Sequence, residues 1–233
     1  MTKCVISFKI TSLQQFLYHL KRWYYPCRFY MKKLVLFIIS FILNFNLIAN
    51  SLSYDSKKVS YNYREVIKCM NKYHEKYGKD DINYSEVYAT IKYWAKHYKI
   101  DLAFAMTFFA IESGFTYECK SQVGALGMGQ LTTYALKDFN DWYGKNISIL
   151  ELNDKNKYDI NIMVSLGYIR MCWNRYKIIQ NGEDLIKSYN IGIGNLKKIK
   201  DGTYSADNFW TVSASKYCDK FNKVYSDFVK CRR

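Results

Sequence analysis

After residue 60, apolar residues recur at helical spacing along most of the chain. One stretch breaks the pattern by being apolar on every side. Residues 100–115 read IDLAFAMTFFAIESGF. Asp101 can cap a helix running to Ile111, and a helix without a polar face must be central and buried. Around it the spacing predicts amphipathic helices over 64–77, through Val66, Ile67, Met70 and Tyr73, and over 84–98, with Asn83 or Ser85 as N-cap. Residues 113–129 read as a loop spaced by Gly114, Gly124, Gly127 and Gly129. A short helix is expected from near Gly127 toward Phe139, and a long one within 154–176. Another follows Gly182 to near Asn190, where Gly192 and Gly194 break it, and a last one lies within 207–229. No strong run of alternating residues suggests strands, so the fold class is mainly α.

The N-terminal region has a different pattern. From Met31 the chain reads MKKLVLFIISFILNFNLIANSLSYD. Lys32 and Lys33 precede a nearly apolar run over 34–49, and Ala49 and Ser51 suit positions −3 and −1 of a cleavage site. These are the parts of a signal peptide, and the run is short for a spanning helix. Residues 1–30 are therefore read as an extension upstream of the true start at Met31. The expected organisation is 1–30 extension, 31–51 signal peptide, 52–83 N-terminal helical segment and 84–233 catalytic domain. Export to the periplasm or cell envelope follows from that reading, with membrane contact only through the signal segment if it stays uncleaved.

Composition narrows the partners. The formal net charge is +15, but part of it is N-terminal. Seven of the 35 basic residues fall in 1–51, which holds no acid, leaving 28 against 20 acidic residues. That excess suits an anionic polymer such as nucleic acid, a membrane face or a bacterial wall. No zinc-finger spacing or RRM-like signature accompanies it, so nucleic acid is not expected. Five cysteines follow the apolar run: Cys69, Cys119, Cys172, Cys218 and Cys231. Export permits up to two disulfides, with connectivity open. There is no CxxC pair, and His19, His74 and His97 are scattered. No metal and no cofactor are expected.

Four pieces stand in order: Glu112-Ser113-Gly114-Phe115; Ser121-x-x-Gly124-Ala125-x-Gly127-Met128-Gly129-Gln130-Leu131; Ser188-Tyr189-Asn190-x-Gly192; and Tyr217-x-x-Lys220-Phe221 followed by Tyr225. The series resembles the soluble-type (SLT) lytic transglycosylases, whose pattern is E-S-x-F, S-x-x-G-A-x-G-L-M-Q-L, A-Y-N-x-G and Y-V-x-K-V. The resemblance spans roughly residues 84–228 and implies a lysozyme-like transglycosylase domain. Departures from the pattern are Leu102 and Tyr117 at usual proline positions, Gly129 for the methionine of L-M-Q, and Ser188 for the alanine of A-Y-N. Met163 also stands where asparagine is frequent, which would alter the support of the pocket.

The chemistry fits Glu112. Cleaving a glycosidic bond needs a proton on the leaving oxygen, and a carboxyl supplies it near neutral pH only if it stays protonated. Burial raises a carboxyl pKa, and the C-terminal end of a helix dipole disfavours its charge. Most glycosidases use two carboxylates. Here Asp101 reads as a cap and Asp159 as a helix-surface residue. The resemblance implies a single acid, with the MurNAc N-acetyl group assisting and Glu112 acting as acid and then base to form a 1,6-anhydro product. It also implies substrate contacts from Ser121, Met128, Gln130, Tyr189, Asn190 and Tyr217. Turn, cap or core packing is the competing reading for these six. The expected partner is peptidoglycan glycan strands, with secretion-system or wall-assembly partners left open. A hydrolase similar to goose-type lysozyme and a non-catalytic wall-binding component of a secretion apparatus stay open as alternatives.

Overall fold

The computed structural model describes residues 59–78 and 81–232. The expected extension over 1–30 and signal peptide over 31–51 lie outside the described residues, as does part of the 52–83 segment. The described residues all belong to one compact unit, Ile48–Arg233. They form eight α-helices: α1 Tyr63–Tyr77, α2 Tyr84–His97, α3 Leu102–Glu112, α4 Thr133–Tyr143, α5 Tyr158–Arg175, α6 Gly182–Ile191, α7 Ile193–Lys200 and α8 Phe209–Val229. Two 3-10 turns, Ile149–Asn153 and Lys155–Lys157, lead into α5. No described helix is long and apolar enough to cross a membrane.

The whole arrangement is built around α3. Every residue from Ala103 to Ile111 is buried. Helices α1, α2 and α8 pack on it from different directions, and α8 also lies along α6. Helix α1 meets the core through Val66, Met70 and Tyr73, and α2 through Val87, Tyr88, Ile91 and Ala95, both at helical spacing. A smaller apolar cluster of Leu131, Ala135, Leu136, Phe139, Leu152 and Val164 joins α4 to α5. Met163 packs against both clusters and supplies no polar support to any loop.

Local chemistry sets the helix ends. The Asn83 side chain accepts from the Ser85 and Glu86 amides and caps α2. The expected start of a helix near Gly127 is corrected: α4 begins at Thr133, capped by Thr132. Leu126 and Leu131 exchange two backbone hydrogen bonds of 2.9 Å, and Gly127 and Gln130 both have positive φ. That closed turn cannot also be a helix. Gly194 does not break the chain as expected. It lies inside α7, because only Gly192 takes the positive φ that turns the backbone.

Asp101 does more than cap α3. Oδ1 accepts the Phe104 amide at 3.1 Å and the Arg232 guanidinium at 2.8 Å, while Oδ2 accepts the Tyr61 hydroxyl at 3.1 Å. Arg232 Nε donates to the Tyr61 hydroxyl at 3.0 Å, and Asn62 N–H donates to Cys231 O at 2.8 Å. One carboxylate thus ties the start of α3 to both ends of the described chain. Replacing Asp101 by Ala removes the cap and strands a half-buried guanidinium. Urea unfolding should show a loss of about 2–4 kcal/mol, whereas Asp101→Asn keeps a capping acceptor and should lose less.

Candidate active site

Glu112 is the last residue of α3. The residue is half-buried, and Tyr217 of α8 reaches its carboxyl. Burial pushes its carboxyl up to about 7, against smaller opposing effects from the Tyr217 hydroxyl and the Lys220 ammonium. The Tyr217 hydroxyl, from α8, donates to Oε1. No hydrogen bond to Oε2 is formed among the described residues. A neutral carboxyl that accepts on Oε1 can carry its proton on Oε2. Lys220, one helical turn after Tyr217, donates to Ile111 O at 3.1 Å and lies over the Tyr77 ring at 4.7 Å. Its ammonium satisfies a carbonyl at the end of α3 and limits the rise in the Glu112 pKa.

The loop after Glu112 is fixed from three sides. Ser113 Oγ donates to Met128 O at 2.7 Å, joining the turn after Glu112 to the glycine-spaced loop. From α6, the Tyr189 hydroxyl donates to Gly129 O at 2.7 Å. From α5, Asn161 Oδ1 accepts the Gly129 amide at 2.8 Å, and its Nδ2 donates to Leu152 O at 2.8 Å and Leu126 O at 3.2 Å. Asn161 is 1 % exposed, so these bonds are made without competing water. The glycines of the loop answer to α5. A Cβ on Gly127 would sit 2.1 Å from Asn161 Nδ2, and one on Gly129 would sit 1.9 Å from Ser165 Oγ.

The structure brings Glu112, Tyr189 and Tyr217 together. The Glu112 charge, after burial, is the next cause raising the pKa of each tyrosine. Tyr189 is held edge-on to Phe108 of α3 at 4.7 Å. The other four expected contacts sit differently. Met128 is 0 % exposed and its side chain is part of the core, so only its backbone faces the site through Ser113. Gln130 Nε2 donates to Cys119 O at 3.1 Å and Gly127 O at 2.9 Å, closing its own loop. Ser121 Oγ accepts the Ala125 amide at 3.0 Å. Asn190 is exposed at the end of α6, with Oδ1 3.2 Å from Ser213 Oγ on α8.

Sequence reasoning missed Asn161, Ser165 and the role of Lys220. A signal for the first two was present: polar residues four apart on a helix whose other positions are mostly apolar. Among the described residues, no group of three or more His, Cys, Asp or Glu side chains gathers as a metal site. Removing Asn161 should leave the Gly129 amide and the Leu152 carbonyl buried without partners. Thermal unfolding of Asn161→Ala is expected to show a loss of about 2–4 kcal/mol, in line with the cost of unsatisfied buried groups.

No curated protein matches the chain. Among solved structures, an inactive mutant of the lytic transglycosylase Slt from Pseudomonas aeruginosa matches with a TM-score of 0.45 and 20 % identity, covering 60 % of this chain. The chain spans only 22 % of that protein's length. The family described as the Transglycosylase SLT domain matches residues 89–210. That stretch includes Glu112, the glycine-spaced loop and Tyr189, whereas Tyr217 lies beyond it on α8. It is more than half of the sequence, and the chain belongs to the SLT transglycosylase family.

Proposed function

We propose that the protein is an exported peptidoglycan lytic transglycosylase that cleaves the β-1,4 bond between MurNAc and GlcNAc. The observation that carries the reading is the Glu112 carboxyl at the end of the buried helix, with Oε1 bound by Tyr217 and a pKa that burial pushes up to about 7, so that a large share of it keeps its proton near neutral pH. Glu112 protonates the glycosidic oxygen as the bond to C1 breaks, with the MurNAc N-acetyl group supporting the developing charge. The carboxylate left behind takes the proton of the C6 hydroxyl as that oxygen closes on C1. The product is 1,6-anhydro-MurNAc, no water is consumed, and Glu112 ends as it began. Tyr217 stabilises the carboxylate in the interval by donating to Oε1. The groups that act on the Glu112 charge are a hydroxyl and an ammonium, which supports one acid rather than a carboxylate pair. The basic excess of the chain suits an anionic wall. In this reading Tyr189 and Tyr217 line the glycan site at Glu112, Ser121, Gln130 and Asn190 contact the glycan farther along from the glycine-spaced loop and the end of α6, and the sequence before residue 52 directs export.

Digestion of purified sacculi with product analysis tests the reaction. Anhydro-muropeptides are expected, and Glu112→Gln should release them about 10²–10⁴-fold more slowly. Reducing-end muropeptides would assign a hydrolase instead, and undiminished lysis by the variant would remove Glu112 from the acid role. The pH profile tests its environment. Activity needs the protonated acid, so kcat/KM should fall as pH rises through about 7. In Tyr217→Phe the bond that lowers the Glu112 pKa is gone, so this falling limb should move to higher pH. A limb that stays in place or moves down would mean that Tyr217 does not stabilise the carboxylate.

A further inference from the structure

Two of the five cysteines in the described region lie against each other. Cys69 is on α1, Cys231 lies two residues past the end of α8, and their sulfurs are 3.6 Å apart although 162 residues separate them in sequence. Both thiols also approach the same carbonyl, Asp227 O, at 3.9 Å and 3.5 Å. The contact is held from both sides. The Asp227 side chain accepts from Lys72 at 2.7 Å and from the Tyr73 hydroxyl at 2.8 Å, both on α1. Beyond Cys231, the Asn62 N–H to Cys231 O bond and the Arg232–Asp101 pair fix the end of the chain. The backbones carrying the two thiols are therefore positioned before any covalent bond forms.

From this juxtaposition we infer that Cys69 and Cys231 are a disulfide-forming pair that clamps α1 to the end of α8 in an oxidising compartment. An S–S bond of about 2.05 Å needs only about 1.5 Å of combined sulfur movement, within reach of side-chain rotation. Cys69 is the more exposed of the two, whereas Cys231 is 3 % exposed. Cys69 is thus the thiol that meets an external oxidant, an exchangeable disulfide such as oxidised glutathione. Its thiolate attacks one sulfur of that disulfide and releases one glutathione thiolate. The Cys231 thiolate then attacks the Cys69 sulfur of the mixed disulfide and releases the second. Two protein thiols are oxidised, one glutathione disulfide is reduced to two thiols, and the two protons pass to the departing thiolates.

The bond would matter to the site. Helix α1 reaches the turn after Glu112, where His74 Nδ1 lies 2.6 Å from Gly114 O. Helix α8 carries Tyr217 and Lys220. Joining α1 to α8 therefore constrains two of the elements that surround the acid.

The test uses the purified full chain in a glutathione redox buffer, so its result is independent of where the cell places the protein and of any activity. After equilibration with excess oxidised glutathione, free thiols are alkylated and the protein is digested without reduction. Mass mapping is expected to find the Cys69 peptide joined to the Cys231 peptide, with Cys172 and Cys218 alkylated only after unfolding. Recovery of Cys69 and Cys231 as alkylated or separately glutathionylated peptides would overturn the pairing, as would either one joined to a different cysteine. Oxidised wild type should melt roughly 5–10 °C above the reduced form. In Cys231→Ala this redox dependence should vanish, and its persistence would place the stabilising bond elsewhere.

Discussion

A helix without a polar face has to be surrounded, and α3 leaves the rest of the chain little choice. Its nine central residues bury apolar surface in every direction, so α1, α2 and α8 each cover part of it. The last residue of that helix is a carboxyl. Surrounding α3 therefore also withdraws Glu112 from water, without any element devoted to that task. The desolvation that raises its pKa follows from the same burial that stabilises the core. Stability and the raised carboxyl pKa share one cause.

The second constraint is the amide of Asn161. A loop of glycines has high conformational entropy in the unfolded chain and few side chains with which to fix itself. Here three carbonyl or amide groups of the loop and its neighbourhood are gathered by one buried side chain, with Tyr189 and Ser113 holding the opposite edge. Small residues at Gly127 and Gly129 are needed so that α5 can approach closely. The glycine spacing of the motif thus reflects helix-to-loop packing as well as room for a ligand.

Elements with a strong local pattern were legible in the sequence. The apolar run named α3 and its Asp101 cap, and Glu112 stood out because no other acid ended such a run. Motif order also singled out Tyr189 and Tyr217, and the fold places both near Glu112 from two other helices. What stayed hidden depended on contacts between distant segments. A motif position cannot say whether Met128 points inward, and the start of α4 turned on paired hydrogen bonds between Leu126 and Leu131 that carry no compositional mark. Asn161 stands two residues before Met163, which occupies the position where the family pattern often has asparagine. The proximity of Cys69 and Cys231 required the tertiary structure, because spacing alone leaves connectivity open.

The elevated pKa of Glu112 also makes its proton part of the folding equilibrium. Its ordinary value of 4.5 becomes about 7 in the fold. Between those pH values the folded chain binds a proton that the unfolded chain has released. Stability contributed by the neutral carboxyl is complete at low pH, declines as pH rises through this window and is gone above it. The carboxylate is therefore the state that the fold itself opposes. In the proposed cycle that charge exists only between bond breaking and ring closure. Taking up the C6 proton returns the protein to its more stable protonation state, so the scaffold favours resetting the acid for the next bond.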